Sequence, residues 1–318
     1  MLKLAAIKDY ERKVGIRPIY KTTLGTMYKG RIETFLESEV SNYYKGKIGL
    51  ILTSPPFPLN RKKKYGNKEG DEYLEWLRDL ASPLAKLLKP KGSIVLEIGN
   101  AWEKGKPTMS TLTVRSLLEF LNSGSLKLCE QFVCFNPARL PGPAQWVNVE
   151  RIRVKDAFTN AWWMSPSERP NADNRRILEE YSESMKKLLS RGSYDYGKRP
   201  SEHNIGKSSF LKNNRGAIPS NVLIFSNTES NSDYLNYCRS RRIKLHPARM
   251  PEHFAEFFVK FLTNSKDIVL DPFAGSNTVG AIAERLGRKW ISIEPRSSYI
   301  KGSVGRFKGT KMIEIGKM

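Results

Sequence analysis

Short apolar runs alternate along the chain with longer amphipathic segments. The apolar runs predict strands at 47–54, 93–99, 130–136, 156–165, 267–271 and 290–294. Apolar residues spaced three and four positions apart predict helices at 71–89, 110–124, 252–263 and 276–288. Strands that alternate with helices are typical of a mainly parallel sheet with helices on both faces, so we predict an α/β fold of that kind.

One predicted strand end carries the sequence Asp-Pro-Phe-Ala-Gly-Ser-Asn-Thr, residues 271–278, directly before a predicted helix. Ligands of such sheets bind beyond the carboxyl ends of strands, where a helix N-terminus presents free N–H groups. Gly275 and Gly280 have Walker A spacing, but Ala281-Ile282 replaces the required lysine and hydroxyl residue, so a P-loop is excluded. No G-x-G-x-x-G motif is present either.

Acidic residues end two successive predicted strands, Asp271 and, about 20 residues later, Glu294. Such carboxylates suit a ligand that carries a cationic amine and ribose hydroxyls. The pattern favours a nucleoside-type cofactor, and an ordinary strand-to-helix turn is the alternative.

A second predicted strand ends in Thr-Ser-Pro-Pro-Phe, residues 53–57. Two prolines hold the chain extended and rigid, and their carbonyl groups stay outside the strand ladder. Ser54 Oγ and the Pro55 carbonyl can therefore accept hydrogen bonds from an exocyclic amino group, while the Phe57 ring stacks on its heterocycle. A strand that simply ends in proline is the alternative.

Much of the excess positive charge of the chain lies between residues 186 and 249. The 318-residue chain has a formal net charge of +22, and 13 basic against 4 acidic residues fall in that stretch. It shows neither helical nor strand periodicity, and basic residues there are interleaved with Tyr194, Tyr196, Phe210 and Tyr234. We interpret it as a surface that faces nucleic acid, with a solvated variable insertion as the alternative.

Three cysteines, Cys129, Cys134 and Cys238, are too few for a disulfide framework and fit a reducing compartment. Neither a membrane-spanning run nor a signal peptide is evident, so we predict a soluble cytoplasmic protein. With three histidines in the chain, strand thiols in the core are favoured over a metal site, and we predict no metal.

These motifs together resemble the beta class of S-adenosylmethionine-dependent amino-DNA methyltransferases, in which the catalytic motif precedes the cofactor motif. Ser-Pro-Pro-Phe, in place of Asp/Asn-Pro-Pro-Tyr, is similar to the N4-cytosine enzymes of type II restriction-modification systems. Similarity to the Pvu-type enzymes extends through KPKGSIVLEIGNAW, NPARLPGPAQWVNVERIRVKDA, GKRPSEHNIGKS and HPARMP. The resemblance implies a Rossmann-like methyltransferase fold with an inserted DNA target-recognition region.

The resemblance also implies the catalytic residues. Ser54, Pro55, Pro56 and Phe57 would bind the target base, and transfer would be a direct displacement without a cysteine adduct. Glu97, at the end of the strand 93–99, matches an acidic residue near the catalytic serine, as a polarising partner or proton acceptor. A cap or an ion pair is the alternative for Glu97.

For S-adenosylmethionine, the resemblance implies contacts from two strand ends. The implied cofactor-binding residues are Asp271, Phe273, Gly275, Ser276, Asn277, Thr278 and Glu294, the last on the ribose hydroxyls. Residues 246–251 would lead into a helix that lines the same pocket, with His246 as a contact or a structural histidine. Gly30-Arg31 replaces the Gly-Asp that relatives often carry near adenine, and Arg31 is assigned no role.

A base must leave the duplex to reach Ser54, so base flipping is implied. The expected organisation is a catalytic part at 1–165, a target-recognition region at 166–242 and a cofactor-binding part at 243–318. Residues 62–65 would close over the DNA, or form a solvated charged loop. The expected partner is double-stranded DNA with a short recognition sequence, bound by a monomer that need not contact a cognate endonuclease.

Two other functions stay open from the sequence. An N6-adenine methyltransferase would use a similar pocket, because both target bases carry an exocyclic amine. A non-catalytic DNA-binding protein on the same fold is the rival from another class, and the intact Ser54 and Asp271 argue against it.

Overall fold

The computed structural model of the chain describes residues 15–58, 68–225 and 231–316. Residues 62–65, the predicted DNA-closing loop, lie outside that part. The described chain divides into a larger unit, up to Ala172 and again from Asn221, and a smaller unit, Asp173–Ser220. The smaller unit falls inside the region 166–242, whose role in target recognition stays a prediction.

The larger unit contains one mixed sheet. In chain order its strands are β1 (Arg17–Lys21), β2 (Gly25–Lys29), β3 (Ile48–Thr53), β4 (Leu88–Gly99), β5 (Lys127–Phe135), β6 (Phe158–Ser165), β9 (Val222–Ile224), β10 (Ile268–Asp271), β11 (Lys289–Glu294) and β12 (Ile313–Glu314). Their order across the sheet is β12-β1-β2-β11-β10-β3-β4-β6-β5-β9. Strands β2, β11, β10, β3 and β4 pair in parallel, and so do β5 and β9. The prediction of a mainly parallel sheet is confirmed.

Strand direction decides which loops share one end of this sheet. Because β6 runs antiparallel to both β4 and β5, strands β4 and β5 point the same way. Strands β3, β4, β5, β10 and β11 therefore finish together, at what we call the carboxyl end of the sheet. Both predicted chemical motifs begin there.

Helices cover both faces of the sheet. In the larger unit they are α1 (Ile32–Leu36), α2 (Glu39–Tyr44), α3 (Gly70–Ala85), α4 (Leu112–Gly124), α6 (Asp233–Ser240), α7 (Glu252–Leu262), α8 (Thr278–Arg285) and α9 (Ser297–Ser303). Two adjacent tryptophans of β6 mark the two faces, because successive strand side chains point in opposite directions. Trp162 packs in the core with residues of α3 and α4, whereas the Trp163 ring lies 5.1 Å from that of Phe261 in α7.

The buried faces explain why the predicted helices form. In α3, Leu74, Leu77, Ala81 and Leu84 recur at three- and four-residue spacing and are all buried. The predicted helix 71–89 is wrong at its end, because α3 finishes at Ala85 and β4 begins at Leu88.

The smaller unit contains α5 (Glu183–Arg191) and the two-stranded pair β7 (Gly197–Lys198) and β8 (Asn204–Ile205). The prediction that residues 186–249 lack periodic structure is wrong for α5 and also for α6 of the larger unit. Ser182 caps this helix by accepting a hydrogen bond from Met185 N at 3.2 Å. None of its residues is buried, so the sequence shows no core-facing apolar stripe.

The aromatic residues of the basic stretch are in two different environments. Tyr194 and Phe210 pair within the smaller unit, with ring centroids 5.3 Å apart. Tyr234 belongs to α6 of the larger unit and is buried, so its expected place on a nucleic-acid surface is wrong. Its hydroxyl instead accepts a hydrogen bond from His246 N at 2.9 Å.

Within residues 15–58, 68–225 and 231–316, no helix combines the length and the apolar character needed to cross a membrane.

Candidate active site

The two chemical motifs meet where β3 and β10 end side by side. Thr53 Oγ1 donates a hydrogen bond of 2.6 Å to Asp271 Oδ1, and both residues are buried. The same carboxylate oxygen accepts the Phe273 N–H at 3.1 Å. Asp271 therefore connects the last residue before Ser54 with the turn that follows β10.

The turn after β10, residues 271–278, is held by its own side chains. Gly275 and Asn277 both have left-handed backbone, with φ of +51° and +57°. The Asn277 side chain caps α8 by accepting a hydrogen bond from Gly280 N at 3.2 Å. It also accepts one from Ser292 Oγ at 2.6 Å and donates one to Tyr20 OH at 3.0 Å. Its side chain is thus engaged by three protein partners.

Glu294 ends the neighbouring strand β11 and faces this turn. Its two carboxylate oxygens accept the backbone N–H groups of Gly275 at 2.9 Å and Arg296 at 2.8 Å. A carboxylate offers about four lone-pair positions, so each oxygen keeps one for a further donor. The carboxylate is fixed in orientation and still able to accept two hydroxyl hydrogen bonds.

Both acidic residues have unusual pKa values. Burial raises the pKa of Asp271 to about 7, and the nearby Glu294 carboxylate adds to the rise. Burial likewise raises the pKa of Glu294 to about 7, against the opposing effect of its two backbone hydrogen bonds. The pair therefore titrates near neutral pH in the absence of a ligand.

An arginine that the sequence did not single out supports the middle of the turn. Arg306 has a side chain that is 3% exposed, and it donates to Ser276 O at 2.8 Å and Ser276 Oγ at 3.1 Å. Its third contact is the Glu252 carboxylate at 3.0 Å. Thr278 Oγ1 donates to Met250 O at 3.3 Å. Only spatial proximity, across 30 residues of sequence, reveals the role of Arg306.

His246 packs against the same turn as a neutral imidazole. A Cβ at Gly275 would stand 2.8 Å from His246 Nε2, so the position requires glycine both for space and for φ. Ala248 N donates to His246 Nδ1 at 3.3 Å, which leaves the ring proton on Nε2. Burial is the largest of the effects that lower its pKa to about 4.

The Phe273 ring is half-buried and stands beside Trp76 of α3, with centroids 5.6 Å apart. Trp76 Nε1 donates to Glu33 at 2.8 Å, and Arg31 forms an exposed ion pair with the same glutamate at 3.3 Å. The Gly30 N–H donates to Glu294 O at 3.2 Å. Gly30 therefore lies next to the acidic strand end, whereas Arg31 turns towards Glu33.

Ser54 begins the Ser-Pro-Pro-Phe segment and is half-buried at the carboxyl end of β3. Its side chain is hydrogen-bonded to Glu97 of the neighbouring strand β4. Glu97 also accepts a hydrogen bond from Thr159 Oγ1 at 3.0 Å. Burial raises the pKa of Glu97, and these two hydrogen bonds oppose the rise.

The other members of the segment shape the space around Ser54. Pro55 is buried, whereas Pro56 and Phe57 are half-buried. A Cβ at Gly99 would stand 2.5 Å from the Phe57 ring, so the absence of a side chain at Gly99 allows the ring to pack closely against β4. The structure thus brings Ser54, Phe57 and Glu97 together.

The three cysteines are free thiols, and Cys134 and Cys238 are buried. Burial raises the pKa of all three thiols, that of Cys129 to about 11. Thiols of this kind are poor nucleophiles at neutral pH. In the described part of the chain, no group of three or more potential ligands could hold a metal ion.

Comparison with known proteins gives a consistent assignment. The family profile described as DNA methylase matches residues 48–304. The type II methyltransferase M.PvuII of Proteus hauseri is 46% identical over 295 residues, which cover 92% of this chain and 86% of the relative. The DNA adenine methyltransferase YhdJ of Escherichia coli K12 is 37% identical over 299 residues, covering 90% and 84% of the two chains.

A solved structure of the PvuII DNA methyltransferase (cytosine-N4-specific) superimposes with a TM-score of 0.73 and 40% identity. The match covers 92% of this chain and 89% of the other. It supports the Rossmann-like methyltransferase architecture predicted above. The chain belongs to the DNA methylase family.

Proposed function

We propose that the chain is a site-specific DNA (cytosine-N4-)-methyltransferase that takes its methyl group from S-adenosylmethionine. One observation carries the proposal: a Ser-Pro-Pro-Phe segment, with its serine hydrogen-bonded to the half-buried Glu97, is joined through Thr53 and Asp271 to the turn 271–278. The cytosine-N4 specificity of the PvuII DNA methyltransferase supports the same target.

The turn and its neighbouring strand end fit this cofactor. Glu294 has two free acceptor positions for a pair of vicinal hydroxyls, as on a ribose. The half-buried Phe273 ring offers an apolar surface beside it. When bound, S-adenosylmethionine supplies an activated methyl on a sulfonium centre.

The remaining cofactor residues divide into two roles in this proposal. Gly275, Ser276 and Thr278 surround the methionine moiety, and their hydrogen bonds to Glu294, Arg306 and Met250 fix their positions. Asp271 and Asn277 hold the turn, because their side chains are already bonded to protein partners. Asp271 affects cofactor affinity through the position of Phe273.

The direction of the hydrogen bond between Ser54 and Glu97 determines how the target base can bind. Ser54 donates its hydroxyl hydrogen to the Glu97 carboxylate, so the Ser54 oxygen keeps lone pairs for an amino hydrogen. The Pro55 carbonyl accepts the second amino hydrogen, and the Phe57 ring stacks on the base. These contacts aim the nitrogen lone pair at the methyl carbon, and such positioning supplies much of a rate enhancement.

Glu97 lies one hydroxyl group away from the reacting nitrogen in this arrangement. In the displacement the N–C bond forms as the carbon–sulfur bond of the sulfonium breaks, which leaves the sulfur neutral and the nitrogen with a surplus proton. Burial raises the pKa of Glu97, which suits a group that takes up that proton through Ser54. Glu97 therefore has a second role beyond orienting the serine.

The DNA partner is proposed on the same basis. The net charge of +22 favours a polyanion, and a target base can reach the half-buried Ser54 only by leaving the duplex. We assign target recognition to residues 166–242, and we propose that the chain binds DNA as a monomer. Its biological role is then to methylate, and so protect, the recognition sequence within a restriction-modification system.

The deciding experiment is methylation of unmodified plasmid DNA with radiolabelled S-adenosylmethionine, followed by nucleoside analysis. We expect label in N4-methylcytosine at a short repeated sequence that mapping of the modified positions then defines. Label confined to N6-methyladenosine would establish the adenine alternative and overturn the cytosine assignment. Ser54→Ala, which should bind the cofactor normally, is the matched inactive control.

A DNA-binding protein without activity gives a different result. It would shift labelled DNA in a gel and transfer no methyl group to any DNA tested. Calorimetry with the cofactor alone then separates a lost cofactor site from a lost target site.

A further inference from the structure

The connection between β5 and β6, residues 136–157, exposes more aliphatic surface than a loop of its size needs. Four of its large apolar side chains stand in solvent: Leu140 is 84% exposed, Val149 68%, Ile152 56% and Val154 86%. Single exposed apolar residues are ordinary, but several on one segment usually mark an interaction surface.

This connection is internally braced, so the exposure is a property of a fixed structure. Ile152 N and Arg153 N both donate to Trp146 O, at 3.0 and 3.2 Å. Asp156 N donates to Gly142 O at 3.0 Å, and the Asp156 carboxylate accepts Asn100 Nδ2 at 2.8 Å. The connection is thereby attached to the residue that directly follows β4.

Its position is next to the base-binding side of the site. The connection begins where β5 finishes, at the carboxyl end of the sheet. Arg139 Nη1 donates to Phe158 O at 2.9 Å, and its charge opposes the burial effect that raises the pKa of Glu97. Arg139 therefore stands close to the carboxylate that contacts Ser54.

Charge identifies the kind of partner. The connection holds four basic residues (Arg139, Arg151, Arg153 and Lys155) and two acidic ones (Glu150 and Asp156). Between 151 and 155 basic and aliphatic residues strictly alternate. The neighbouring segment after β4 adds Lys104 and Lys106, and the Arg153 guanidinium lies 5.8 Å from the Trp102 ring.

We propose that residues 136–157 contact duplex DNA beside the target base, with Leu140 and Val154 against the bases and sugars and Arg151 on a phosphate. This inference rests on the proposed DNA substrate. Proteins that distort DNA commonly press aliphatic side chains into the base stack, and they hold the backbone with basic ones. An aliphatic surface at this point stabilises the opened stack while the base occupies the Ser54 pocket.

A second copy of the chain is the competing occupant, and the charge argues against it. Self-association would bring two basic connections together, in a chain whose net charge is +22. Like charges brought into one interface oppose binding, whereas the DNA backbone is complementary to them.

Photocrosslinking tests the contact without requiring methyl transfer. The full-length protein carries p-benzoylphenylalanine in place of Val154, or in place of Ile313 of β12 as a control. Ile313 is 59% exposed, and β12 is one edge strand of the sheet whereas β9 is the other. We expect ultraviolet crosslinks to labelled plasmid fragments at position 154 and none at position 313. Crosslinks between two protein chains, or none to DNA that is demonstrably bound, would overturn the proposal.

Methylation kinetics test the stated role of the aliphatic side chains. The double variant Leu140→Ser/Val154→Ser should transfer methyl groups to duplex DNA about tenfold more slowly, which corresponds to an activation free energy higher by about 1.4 kcal/mol. Because no charge is removed, the slope of log Kd against log salt for DNA should not change, whereas Arg151→Gln should reduce it by about 1.

Ile313→Ser is the matched control and should behave as wild type. Wild-type rates in the double variant, with an unchanged melting temperature and cofactor affinity, would overturn the proposal. An inactive wild-type protein would instead refute the proposed function, and the crosslinks would still decide whether the connection touches DNA.

Discussion

The cofactor turn, residues 271–278, and the base-binding segment, residues 53–57, begin side by side and are built in opposite ways. Asp271, Asn277 and Thr278 are buried, and side-chain hydrogen bonds fix the turn from within. Ser54, Pro56 and Phe57 are half-buried, and the contact that defines Ser54 is with Glu97.

The difference matches what each region has to bind. A small cofactor of constant shape is best bound by a turn whose groups are fixed before it arrives. A base that enters from DNA needs an open approach, so rigidity there comes from two prolines and from the close packing of Phe57 on Gly99. Thr53 is the direct link between the two regions.

The largest effect should come from Ser54→Ala, which changes the base-binding segment and leaves the cofactor turn intact. Loss of a group that orients the reacting nitrogen should reduce methyl transfer on the order of 100- to 1,000-fold. Single-turnover transfer of labelled methyl groups to plasmid DNA measures the change. A comparable loss in Glu97→Gln would show that the two side chains act as a unit, and wild-type activity in Ser54→Ala would contradict the account.

Asp271→Ala should break the cofactor side. It leaves the Thr53 hydroxyl and the Phe273 N–H without their buried acceptor, which costs about 1–3 kcal/mol and loosens cofactor binding about 10- to 100-fold. Calorimetric titration with the cofactor measures this. Asp271→Asn is the matched control: it keeps an acceptor oxygen, and it should bind the cofactor better than the alanine variant.

The pH dependence of cofactor binding should separate the regions further. Ribose hydroxyls donate to the ionised form of Glu294, whose pKa burial raises to about 7. Affinity should therefore rise by about tenfold between pH 6 and pH 8 as this carboxyl loses its proton. Glu294→Gln should bind weakly and with a flat profile. A wild-type affinity that falls with rising pH would contradict the assignment.

The free energy of unfolding of the cofactor-free protein should fall as pH rises, whereas cofactor affinity should rise. A carboxyl whose pKa is raised in the folded state binds more protons folded than unfolded. Each of Asp271 and Glu294 should therefore reduce the free energy of unfolding as pH rises from about 4 to about 7. Urea denaturation at several pH values measures the slope, which Glu294→Gln should reduce.

The smallest effect should come from Thr53→Val, which removes the link and leaves both regions in place. Loss of one buried hydrogen bond costs about 1 kcal/mol, so cofactor affinity and transfer rate should each fall about fivefold. Thr53→Ser keeps the hydroxyl and should restore both. A loss confined to one of the two readouts would show that Thr53 does not join the regions.

The sequence predicted the parts of this comparison that depend on local pattern. Residues 48–53 form a fully buried strand, and the Ser-Pro-Pro-Phe segment follows it as the periodicity indicated. Residues 271–278 run from the last residue of β10 to the first residue of α8, at the strand-to-helix turn that was predicted. Such features are readable because the strand, the prolines and the glycine turn are contiguous.

The partners that hold these motifs were not readable. Thr53 and Asp271 are 218 residues apart, Tyr20 and Asn277 are 257 apart, and Arg306 reaches back 30 residues to Ser276. Single hydrogen bonds between distant residues leave no periodic trace in one sequence. The strands β1 and β2 were missed for a different reason, because each buries only one pair of residues, Ile19-Tyr20 and Met27-Tyr28.

Cofactor titration of the wild type, Ser54→Ala and Asp271→Ala, side by side, tests the central claim most directly. The account predicts that Ser54→Ala binds S-adenosylmethionine with wild-type affinity, and that Asp271→Ala binds it at least about tenfold more weakly. Equal loss of affinity in both variants, with both still folded, would contradict the separation of a cofactor turn from a base-binding segment.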